Sequence, residues 1–223
     1  MSQSPKTMKP FSKKKTHLLD QLRRKRGTRN LAKRFLIVCE DNKSAPHYFE
    51  ALKKHFNLTA ASIEVVGSGG YSQPMQVVKR AVEIKKNAAR DDNGTVQFEQ
   101  VWCVIDGDYR DKIPTARSCA KANDIELAIS TLCFEHWVML HFEEWDKSSL
   151  KCDAIVSALK RKHLPQYAKG KCDFREIVKS VRTACERAKK LRRLGELPEV
   201  QNPCSEVCKL VNAILAEVVE GSS

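Results

Sequence analysis

The densest chemistry in this chain sits at Asp106-Gly107-Asp108, directly after the apolar run Val101 to Ile105. Two carboxylates two residues apart at a strand end point to one side. Such a pair repels itself unless a cation stands between, and oxygen-only ligands of this kind suit Mg²⁺ or Mn²⁺. A third acid, Glu40, closes a second apolar run, Phe35 to Cys39, in the same way. If the two runs are neighbouring parallel strands, Glu40, Asp106 and Asp108 converge on one sheet edge, a geometry for metal-assisted phosphoryl chemistry. The plainer alternative is that Asp106 and Asp108 only shape a turn and cap the next helix, since Asp-Gly is an ordinary turn dipeptide.

Positioning these acids requires strands buried on both faces. The two runs qualify: each is short, apolar and rich in β-branched or aromatic residues. Between them the pattern predicts a helix from Ser44, which can cap, with Pro46 in its first turn and Tyr48, Phe49, Leu52 and Phe56 on one stripe. A strand over 62–66 follows, then the glycine-rich Gly67-Ser68-Gly69-Gly70, which lacks the Gly-Lys-Ser/Thr ending of a Walker loop. Helices over 74–87 and 115–122 and a strand over 125–130 complete an alternation that predicts a parallel α/β sheet flanked by helices, with right-handed crossovers. Beyond it come helices over 151–162, 173–194 and 202–219. The expected organisation is a basic leader (1–33), an α/β domain (34–147) and a C-terminal helical region packed on it (148–223).

The run Phe134 to Phe142 is apolar around much of a helix yet contains Glu135, His136 and His141. A buried acid has to be paired or near a cation, so Glu135 is either a further catalytic acid beside the metal or a salt-bridged core acid. The two histidines are five apart, the wrong spacing for one-face zinc ligation.

The net charge of +13 is concentrated: residues 1–34 hold twelve Lys/Arg against Asp20 alone, leaving the rest nearly neutral. Arg23, Arg24, Lys25, Arg26, Lys33 and Arg34 are therefore the candidate contacts to a nucleic-acid backbone, the alternative being a solvated tail. No run is apolar for long enough to span a membrane, and none resembles a secretory leader. The nine cysteines are odd in number and scattered without a CxxC pair. Cys204 and Cys208 make only a weak metal signal, so a reduced, cytoplasmic protein is expected.

Taken in order, Cys39-Glu40 followed by Ser44 and Tyr48-Phe49, then Trp102 to Asp108, then Cys133-Phe134-Glu135-His136-Trp137 with Leu140-His141-Phe142, and finally Asn202-Pro203 before Val207, resemble the RloB-like family. The likeness runs over about residues 21–215. It implies a Toprim-type fold, with Glu40 as general base or metal ligand and Asp106 and Asp108 holding Mg²⁺. It implies as well a role in restriction-associated or abortive-infection defence and an AAA-type ATPase as neighbour. Two departures stand out: the family pattern has Gly where this chain has Asp41, and a second Glu where it has Ala45. The expected activity is a metal-dependent nuclease. The alternatives are a Toprim-like subunit without turnover and an RNA-processing nuclease of the same class. DNA versus RNA and a homo-oligomeric state stay open.

Overall fold

The computed structural model describes residues 34–58, 63–67, 69–70, 73–91, 97–148, 151–192 and 201–220. Its strands are β1 (Phe35–Cys39), β2 (Ile63–Gly67), β3 (Gln100–Asp106), β4 (Glu126–Thr131) and β5 (Cys204–Ser205). The helices are α1 (Ser44–His55), α2 (Pro74–Asp91), α3 (Ile113–Ala122), α4 (Phe134–Met139), α5 (Cys152–Lys162), α6 (Val181–Leu191) and α7 (Val207–Glu220). The sheet runs β2-β1-β3-β4-β5, with the first three pairings parallel and β5 antiparallel to β4. This is a Rossmann-like α/β architecture, as the alternating pattern predicts.

All five residues of β1 are buried, because helices cover both faces of the sheet. Strand side chains alternate between faces. Leu36, Val38, Cys103, Ile105 and Ile129 thus enter a core with Val77, Val78 and Ala81 of α2 and Ile113 and Ala116 of α3. Phe35, Ile37, Cys39, Val104 and Ala128 enter the other core, shared with α1, α4, α5, α6 and α7. The helices beyond residue 148 consequently bury their apolar faces in the same core as the sheet rather than in one of their own.

Tyr48 is the hub of that second core. Its ring meets Phe49, Phe134, Trp137, His141 and Phe174 edge-on, and its hydroxyl lies 3.1 Å from His141 Nε2. With His141 Nδ1 3.0 Å from the Trp137 carbonyl, the consistent tautomer donates from Nδ1 and accepts from Tyr48 at Nε2. His136 lies between the Cys204 and Trp145 carbonyls. Burial lowers both imidazoles to about 4, so these histidines are neutral framework groups.

Several boundaries differ from the sequence reading. The second helix runs on to Asp91. Val207 rather than Asn202 opens the last helix, because Cys204 and Ser205 pair with β4 and the Glu206 N–H donates to the Ile129 carbonyl. In place of one long helix over 173–194 there is a 3₁₀ turn at Ile177–Ser180 followed by α6. The Asp173 carboxylate takes the Arg175 N–H and guanidinium, making a local turn where the helix was expected to begin. Ser44 does not cap α1: Asp41 does, accepting the Ser44 and Ala45 N–H groups at 2.7 and 3.2 Å.

Candidate active site

In parallel sheets ligands bind at the carboxyl ends of strands, where the strand order reverses direction. Here β2 lies on one side of β1 and β3 on the other, so the reversal falls between β1 and β3. Glu40 and Asp106 stand at that point. Register fixes them there: Cys39 pairs with Val104, and the Glu40 N–H extends the ladder to the Val104 carbonyl. The Glu40 side chain then accepts the Asp106 N–H at Oε2, 3.0 Å away. Asp106 in turn accepts the Phe134 N–H at 2.9 Å, tying β3 to the start of α4.

Gly107 is required by close approach. A Cβ there would come within 2.9 Å of Thr131 Oγ1 and 3.0 Å of Thr131 Cα, while the Gly107 N–H donates to the Ser130 carbonyl. β4 is therefore pressed against the turn, which leaves Asp108 at the mouth of an open cleft of about 340 Å³ lined by Asp106, Asp108, Cys133, Lys151, Cys152 and Lys169.

Burial raises the Glu40 carboxyl to about 8, an effect eased by the Asp106 N–H and reinforced by Asp108 and Asp41. Asp106 is pushed well above the ordinary carboxylate range by burial, then by Glu40 and Glu135, against the pull of Lys169. Asp108 is raised more mildly by burial. Glu40 and Asp106 thus share one edge and one field. The three acids do not close into a ready coordination shell: among the described residues, the trio of ligand atoms lying within 4.8 Å of one another is Cys133, Glu135 and Cys152.

Glu135 is buried and salt-bridged. It is 1% exposed; Ser44 Oγ and Tyr167 OH donate to its Oε1 at 3.1 and 2.9 Å, and Lys169 Nζ lies 3.1 Å from Oε2. Asp41, spent on capping α1, is not aimed into the cleft, and Ala45 is buried.

Arg34 is placed elsewhere. It precedes β1, at the end of the sheet opposite the acids, where it pairs with Glu64 at 3.7 Å and stacks on Phe98. A backbone gripped by Arg34 would lie roughly 16 Å of strand away from the cleft. Arg23, Arg24, Lys25, Arg26 and Lys33 lie outside the described residues. The expectation that every cysteine is reduced is also corrected: Cys133 and Cys152, 19 residues apart, form a disulfide on the cleft rim. Sequence reasoning missed this pair because nothing local links the two positions. Lys169 was missed for the same reason: its role comes from a loop folding back onto α4.

A family model described as RloB-like protein matches residues 35–214. The chain belongs to the RloB-like family. That span takes in all five strands and Glu40, Asp106, Asp108 and Glu135. No curated protein and no solved structure matches this RloB-like chain. Among the described residues no helix is long and apolar enough to cross a membrane.

Proposed function

We propose that this RloB-like chain is a metal-dependent nuclease of Toprim type, hydrolysing phosphodiester bonds of nucleic acid in cytoplasmic antiviral defence. The observation that carries the reading is the Glu40–Asp106 pair at the strand-order reversal, hydrogen-bonded through the Asp106 N–H. The donor chemistry fits Mg²⁺ or Mn²⁺. Glu40, Asp106 and Asp108 offer only oxygen, and burial raises all three carboxyls, leaving their anionic forms short of the stabilisation that a hard divalent cation would supply. Bound by these acids, the ion would supply polarisation of the phosphodiester and neutralisation of developing charge. Glu40, once a cation beside Asp106 has displaced its proton, would serve as metal ligand or as general base toward an attacking water. Lys151 and Lys169 on the cleft wall would balance the charge of a phosphate seated there.

The second reading, a Toprim-like subunit without turnover that docks on an AAA-type ATPase, is favoured by Ala45 and by the use of Asp41 as a helix cap. One experiment separates the two. Plasmid DNA, structured RNA and tRNA are incubated with wild type and Asp106→Asn, with and without Mg²⁺ or Mn²⁺. The nuclease reading expects metal-dependent cleavage that falls about a hundredfold or more in the variant. Absence of cleavage by wild type, or equal and metal-independent cleavage by both, removes it.

A further inference from the structure

The rim of the cleft carries a second ligand set of different chemistry. Cys133 ends the segment after β4 and Cys152 opens α5, with Cα atoms 5.9 Å apart. Glu135 Oε2 lies 3.3 Å from Cys152 Sγ. A disulfide sulfur carries no proton, so this approach is not a hydrogen bond: the Lys169 ammonium, 3.1 Å from the same Oε2 and 3.8 Å from the same sulfur, is the cation that now stands beside both atoms. The orientation of the Glu135 carboxylate is fixed from behind by Ser44 and Tyr167 on Oε1, the outer-shell arrangement that orients metal ligands.

We propose that, once the Cys133–Cys152 disulfide is reduced, Cys133, Glu135 and Cys152 bind a thiophilic divalent cation, Zn²⁺, and that reoxidation of the pair by a small-molecule disulfide, which takes the two electrons and leaves as two thiols, expels it. This does not rest on the nuclease reading. All three ligand atoms lie within 4.8 Å of one another, close to the separation that two ligands at about 2.0–2.3 Å from one zinc allow. Thiolates select zinc where the all-oxygen acids select magnesium. Charge closes as well: two thiolates and one carboxylate against Zn²⁺ leave one negative charge beside the Lys169 ammonium, 3.1 Å from Glu135. Cys133 and Cys152 both line the cleft, from which water would supply a further ligand.

The redox step balances with a dithiol as reductant. It gives two electrons and two protons to the S–S bond and becomes a disulfide itself, leaving two thiols on the protein. Zinc uptake then releases those two protons to solvent.

The test titrates the full chain with Zn²⁺ against a chromophoric chelator, and in parallel with Co²⁺, in dithiol-reduced and reoxidised forms. Thiol counting verifies nine thiols in one form and seven in the other. The expected result is one tight zinc per reduced chain with a thiolate-to-cobalt charge-transfer band, affinity at least about tenfold weaker in Cys152→Ser, and both signals lost in the reoxidised wild type. Asp106→Asn, at the oxygen site, is expected to keep them. The reoxidised wild type is a folded control that needs no substitution. Equal zinc affinity in reduced and reoxidised forms, undiminished affinity in Cys152→Ser, or absence of the cobalt band overturns the proposal.

Discussion

Glu40 ties the site's electrostatics to stability. Its folded-state carboxyl, near 8, lies above the ordinary value of 4.5, so the native chain holds a proton that the unfolded chain has given up between those two values. Stability from this group is fully present below about 4.5 and is lost as pH rises through about 8, a loss on the order of a few kcal/mol shared with Asp106. A divalent cation competes with that proton. The expected outcome is a Mg²⁺ or Mn²⁺ gain in melting temperature that is small at pH 6 and larger at pH 8, and that shrinks in Glu40→Gln. An equal gain at both pH values, or one untouched by the substitution, would dissociate the metal from these acids. Residue types announced this pair, because a strand ending in acid is visible in a string of letters. The same string could not announce that Glu135 would meet Ser44 and Tyr167 or that Cys133 would bond to Cys152. Such contacts join segments 19 to 91 residues apart and depend on how helices dock.

At the scale of elements, the turn after β3 is the tightest fit in the site. Replacing Gly107 by alanine drives a methyl into the Thr131 backbone, which only a shift of β4 or of the turn relieves. We expect Gly107→Ala to cost about 1–3 kcal/mol in urea denaturation and to weaken divalent-cation binding with Asp106 and Asp108 both intact. A variant as stable as wild type with unchanged metal affinity would mean that the turn yields without cost. The element pattern itself was largely readable: β1 to β4 and their intervening helices follow from apolar runs and turn residues. The two-residue β5 was not, since it has no periodicity to detect and owes its existence to the waiting edge of β4. The 3₁₀ turn before α6 escaped for a related reason, because the charge pattern over 173–194 continues across a local turn made by Asp173 and Arg175.

For the molecule as a whole, the boundary expected near residue 147 does not separate two cores. Ile155, Leu159, Phe174, Val181, Val207 and Leu210 are buried together with Phe35, Ile37 and Trp137. We therefore expect residues 34–220 to unfold in one cooperative transition, with far-ultraviolet and near-ultraviolet dichroism superimposing across a denaturant titration. Two separated transitions would show that the C-terminal helices stand alone. Composition along the chain changes after residue 148, which is why the sequence suggests an appendage. Charged letters there belong to outward faces, and the inward faces complete a layer the sheet cannot supply.

Late placement of β5 and α7 also bears on the order of events at the ribosome. The edge of β4 and the apolar flank over it stay uncovered until residues 204–215 have emerged from the exit tunnel. A nascent chain that has not yet exposed those residues is an open template for other strands, and a natural client for chaperones until they emerge.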